Sequence, residues 1–175
     1  IAPTAIAGLT SSAIQKLQSD SFRALTIQQM GQLTSRQLSA LTTDQIKNFD
    51  LDKLQAVTPQ AIQGLFDLII EKFTTDAISA LTSQQATVLT TAQLNKLSTQ
   101  ISAMTTDQIH ALSSKQIGAL SADQIKSLSG EQLGAIAIGS IAGLTAEDIS
   151  KIDSDNFDGF SSQQIARLTA KQLVG

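Results

Sequence analysis

Cysteine, tryptophan and tyrosine are all missing from this chain of 175 residues, which holds only two prolines and a single histidine. Each absence removes a class of answer. Without cysteine there is no disulfide framework and no thiolate metal site, although the compartment stays open. One histidine leaves no second imidazole to join it in a metal site or a nucleophilic relay. Charge is scarce too: Asp, Glu, Lys and Arg make up 15% of the residues, against about 25% in ordinary domains. The net charge of -3 gives no basic footprint for nucleic acid or anionic lipid. No apolar run approaches the ~20 residues that cross a bilayer, so no membrane insertion is expected. The chain opens on Ile1 rather than Met and carries no signal-peptide pattern, which reads as a fragment of a longer chain whose other domains are its neighbours.

What is present is a repeat. Residues 105–128 hold one eight-residue unit three times without a slip: hydroxyl, two free positions, Gln, Ile, two free positions, Leu. A Ser or Thr followed three residues later by Gln is a capping box. The hydroxyl accepts from the third helical N–H, and the Gln side chain reaches back to the cap residue's own N–H. The apolar residue before the cap is spaced to staple onto the one five places later, as Leu112 onto Ile117. Every octad therefore starts its own helix. A helix this short is far below the ~12–15 residues that stand alone in water, so each must lean on its neighbours.

The cap position runs from Thr10 through Thr26, Thr34, Thr58, Thr82, Ser113 and Ser129 to Thr169, and only Gln18, Phe66 and Ala137 fall outside Ser, Thr or Asp. Asp50 and Asp153 standing for Thr fit a capping role. Apolar spacings of 3 and 5 fit poorly to the period of 2 that a strand requires, so helix is preferred. The expected fold is all-α: one continuous solenoid over 1–175 with a very short helix per octad. The seventh place alternates early between long and small residues (Lys16, Ala24, Gln32, Ala40, Asn48, Ala56), which predicts two helices per coil.

Three stretches depart from the pattern. In 66–73 both cap and Gln are lost, and Pro59 at a first helical position predicts a helix of about four turns running to Lys72. Its apolar residues Phe66, Ile69 and Ile70 form core or a candidate partner surface. Over 98–104 one residue is missing, which predicts a shortened or distorted helix. Over 137–144 both capping partners are gone, which predicts a weak start.

Candidates for chemistry are few. His110 occupies a free, solvent-facing place, and no serine lies in a Gly-x-Ser-x-Gly elbow. Asp153, Asp155, Asn156 and Asp158 only partly follow a calcium-loop pattern, and a cap with neighbouring surface acids explains them. The fourth-place Gln is explained by capping. No catalytic, cofactor or metal residue emerges, so an enzyme is not expected.

The phrase Leu-Thr-x-x-Gln-Ile-x-x, as in 41–49 and, with Ala86 at the Ile place, in 81–89, resembles the opening helix of transcription-activator-like effector repeats, but only over about nine residues; their second helix, base-reading pair and basic charge are missing. Over nearly the whole chain, from Leu9 to Leu173, the octads resemble repeat regions of very large bacterial secreted or surface proteins, adhesin-like ones included. That resemblance implies an extracellular or cell-surface structural or adhesive module, a stalk or scaffold. The alternative expectation is a protein-binding solenoid with a groove lined by Lys47, Lys126 and Arg167.

Overall fold

The computed structural model describes residues 2–47, 51–64, 70 and 74–174. Among them every regular element is helical, and no strand occurs. The chain divides into two compact units, Ile1–Leu89 and Thr90–Gly175. Both are built from the same eight-residue step.

One step shows how. Thr105 is extended (φ -71°, ψ 162°), and its hydroxyl accepts the Gln108 N–H at 3.3 Å while the Gln108 carbonyl oxygen accepts the Thr105 N–H at 2.7 Å. That closed box launches the helix Thr106–Ala111. Leu112 then returns to an extended conformation (ψ 133°), its N–H held by the Ile109 carbonyl at 3.1 Å, and Ser113 opens the next helix. The full box recurs from Thr26 to Thr169, including Thr34, Thr82, Thr90, Ser121, Ser129 and Ser161. Helices of four to six residues are the outcome, as the octad dictates.

The fifth and eighth places fill the core. Ile109, Ile117, Ile125 and Leu133 are fully buried, as are Ile14, Leu38, Leu54 and Ile62 in the first unit, and Leu112, Leu120 and Leu128 are nearly so. Burying such a side chain is worth about 1.5–3 kcal/mol, and no short helix could gain this alone.

Each helix packs on the one three octads further along. In the first unit Ser11–Gln15 meets Ser35–Leu38, which meets Pro59–Ile62, which meets Ser83–Thr87. In the second, Thr106–Ala111 meets Gly130–Ala135, which meets Ser154–Phe157. The coil therefore holds three helices and 24 residues, not the two helices expected from the seventh-place alternation. That place reports something else: it faces the neighbouring coil. A side chain on Gly143, at the seventh place, would run into the Ser114 backbone, and one on Gly118, at the sixth place of its own octad, would come within 2.9 Å of the Gly143 carbonyl. Elsewhere Lys16 and Gln32 occupy the seventh place and are exposed. Its alternation therefore does not count the helices in a coil.

The irregular stretches resolve as follows. Thr58 caps the helix Pro59–Ile62, which gives way to a turn at Gln63 and Gly64. A four-turn helix from Pro59 is thus corrected to about one turn, because Gly64 must lie flat against the Ser35 backbone of the preceding coil. The rest of the proposed long helix, apart from Ile70, lies outside the described residues. At 98–104 the lost residue gives a 3-10 helix, Ser98–Ala103, entered through Ser98 at φ 49°, the only positive φ outside glycine among the described residues. Over 137–144 a 3-10 helix, Ile138–Gly143, starts without a side-chain cap. Asp153 makes no cap bond, contrary to its expected role, and Asp50 lies outside the described residues.

Candidate functional site

The most organised chemistry in the molecule is the fourth-place glutamine, and it reaches further than its own helix. Gln37 accepts the Thr34 N–H through Oε1 at 2.8 Å and donates through Nε2 to the carbonyls of Ile6 at 2.7 Å and Leu9 at 2.8 Å. Those carbonyls end the helix Pro3–Ile6, 31 and 28 residues earlier. Gln45 does the same to Ile14 and Leu17, and Gln85 to Leu54 and Val57. In the second unit Gln124 donates to Leu94 and Ser98, Gln132 to Ser102 and Met104, and Gln172 to Ile141 and Leu144. One amide thus closes a helix start with its oxygen and a helix end of the preceding coil with its nitrogen. Carbonyls left orphaned by short helices need such partners.

Substitutes keep part of this role. Ser140 stands at the fourth place of 137–144, and its hydroxyl donates to the Leu112 carbonyl at 2.8 Å. Lys53 stands there in 50–57 and donates to the Arg23 carbonyl at 2.6 Å. Asp148 keeps only the accepting half, taking the Thr145 N–H at 2.7 Å. Asn156 accepts the Gly130 N–H at 3.1 Å. Capping, the role expected of this Gln from the sequence, accounts for its oxygen but not for these bonds of its nitrogen. A signal was nevertheless there. A capping box works with Glu as readily as with Gln, yet no octad carries Glu at the fourth place. Only the amide has a donor to spare.

Because these glutamines are buried and doubly engaged, they are not a recognition surface. The accessible concavities lie beside the stacked caps. A recess of about 510 Å³ in the second unit is lined by Ser102, Thr105, Thr106, Ser127, Ser129 and Asn156. One of about 500 Å³ in the first unit lies between Thr10 and Thr34. Beside the hydroxyl and amide groups, the first recess also holds Glu131 and the apolar Met104 and Leu128, and the second holds Arg36 and Leu9.

Of the residues singled out in the sequence, Phe66 and Ile69 lie outside the described residues, and Ile70 is fully buried in the core. His110 is exposed, and its Nδ1 lies 3.0 Å from the Ala135 carbonyl, a link between Thr106–Ala111 and the coil that follows. Lys126 and Arg167 are exposed, while the side chain of Lys47 lies outside the described residues. Among the described residues no group of three or more His, Cys, Asp or Glu is placed to hold a metal ion. Nor is any described helix long and apolar enough to cross a membrane.

Compared with known families, residues 98–130 match the ALTTAQ repeat. The matched stretch begins at the shortened octad and includes the three regular ones. No curated protein matches the chain.

Proposed function

We propose that this chain is a non-catalytic structural module, a stalk or scaffold segment of a large bacterial surface or secreted protein with an adhesin-like organisation, working outside the cell or at its surface. The observation that carries the reading is the glutamine lattice. The fourth-place amides, able both to donate and to accept, are spent inside the molecule, joining one coil to the next. What remains outside is a mixture of hydroxyls, amides and scattered charges. Such a surface separates what lies at its two ends without needing a ligand of its own. The match of 98–130 to a repeat family supports the modular part of this reading.

The test is an exchange of surface in the parent protein. All exposed third-, sixth- and seventh-place side chains, Lys126 and Arg167 among them, would be replaced by other polar residues, with caps, glutamines and apolar places retained. A spacer leaves the parent's display on intact cells and its activity unchanged. Loss of a binding activity with the fold intact would mean that this face holds a ligand site, and the reading would fall.

A further inference from the structure

Fourth-place amides are not spread evenly along the chain. Gln37 and Gln45 tie their coil to the carbonyls of Ile6, Leu9, Ile14 and Leu17, and Gln85 ties its octad to Leu54 and Val57. Between them four successive octads carry Lys53, Ala61, Ile69 and Ala77 at this place. Three octads make a coil, so more than a full turn of the solenoid passes without a fourth-place amide. Ala61 and Ala77 are buried, and each keeps half of a cap: Thr58 takes the Ala61 N–H at 3.3 Å and Thr74 the Ala77 N–H at 3.1 Å. The helix starts survive; the donor to the preceding coil is what is lost. Ala61 brings none to Met30 and Leu33, the residues 31 and 28 places before it. Lys53 reaches the Arg23 carbonyl at 2.6 Å, in a bond exposed to solvent.

Contact across this turn is backbone on backbone. Gly64 has no room for a Cβ beside Ser35, and one on Gly31 would sit 3.1 Å from the Ala56 carbonyl. Apolar burial does not make up the difference. Met30, Leu33, Leu54 and Ile62 are buried here just as Leu94, Leu97, Ile125 and Leu128 are where Gln124 is present. Separating coils tied by Gln breaks directional bonds in a buried site, whereas separating these two returns carbonyls without an amide donor to water. We propose that this turn is a built-in joint: the first two coils, residues 2–47, part from residues 51–89 as one body before any Gln-tied boundary opens. The joint lies inside the first compact unit rather than at its edge, and it rests on no part of the stalk reading.

The experiment is amide exchange on the full chain at low, rising urea, which resolves partial openings short of global unfolding. Ser11–Gln15, Ser19–Arg23, Ile27–Met30 and Ser35–Leu38 are expected to share one opening, reached more easily than that of Ser83–Thr87 or Thr106–Ala111. Exchange graded inward from Pro3 with no common step, or one block ending at Leu89, would overturn the proposal. Two variants then test the cause. Ala61→Gln supplies the missing amide, and Ala61→Met supplies a chain of similar length without one. The Gln variant should slow exchange of the amino-terminal block about tenfold relative to the Met variant; equal rates would count against the joint. Gln85→Ala is the reverse test and needs no room for a larger side chain. It loosens the next boundary, so Leu51–Ala56 and Pro59–Ile62 should join the fast block, and no change there would also overturn the proposal.

Discussion

At the residue scale the decisive property is that an amide both accepts and donates. Gln124 is 3% exposed and bonds the Ser121 N–H and the carbonyls of Leu94 and Ser98. Replacing it with Ala removes three bonds of roughly 1 kcal/mol each and leaves a void, so unfolding in urea should show a loss of about 2–4 kcal/mol. Gln124→Glu separates the two halves of the role. A carboxylate can still accept from Ser121, but it would face two carbonyl oxygens in a buried site, so the folded state favours the protonated acid and its pKa rises above the unfolded ~4.3. The native state then holds the extra proton between the two pKa values, and stability falls as pH increases through that window. The variant should therefore approach the parent below about pH 4 and fall behind it at pH 7; a gap independent of pH would contradict this. Asp148→Gln works in the opposite direction. Its Oε1 retains the Thr145 bond, and its Nε2 gains the Ile117 and Leu120 carbonyls, 31 and 28 residues back, for an expected gain of about 1 kcal/mol. This half of the design was hidden from sequence reading because periodicity within eight residues says nothing about which carbonyl lies 28 residues away.

At the element scale the short helix and its cap were readable, since Thr105 with Gln108 or Ser113 with Gln116 is a purely local arrangement. The number of helices per coil was not, because it depends on contacts between backbones rather than on any one octad. Glycines mark those contacts. A Cβ on Gly159 would run into the Gly130 backbone, and one on Gly134 would sit 2.5 Å from the Gly159 carbonyl. With backbone on both sides neither can yield, so Gly159→Ala should cost about 1–3 kcal/mol or more. Gly139→Ala is the matched control. Nothing lies within 4 Å of its Cβ, and the change should be neutral or stabilise by up to about 1 kcal/mol through a less flexible unfolded chain. Equal thermal midpoints for the two variants would refute this account of coil spacing. The shortened octad offers a third case. Ser98 holds φ 49°, a conformation that costs a non-glycine residue about 1 kcal/mol, so Ser98→Gly should leave stability unchanged or slightly raised, whereas Ser98→Val should lower it.

Over the whole molecule, equivalence of the octads governs what can be removed. Excising 105–128 takes out one full coil, preserves the octad phase and returns each later glycine to an equivalent column, so the shortened chain should fold with a similar far-ultraviolet spectrum per residue. Excising 105–108 alone shifts every later apolar place by half an octad and should unfold much of the second unit. Comparable cooperative melts for the two deletions would show that the eight-residue phase is not what holds the fold. The lattice also has a direction. In each of the pairs described above the amide comes from the later octad and the carbonyl from the earlier one, as Gln37 to Ile6 or Gln172 to Ile141. A carbonyl waiting at the rim can be hydrated until it is needed, and it already holds a bond from within its own turn. During synthesis, then, each new glutamine reaches a template that was laid down before it. Growth from the amino end is vectorial, like a wall on which every fresh course is keyed into the one beneath.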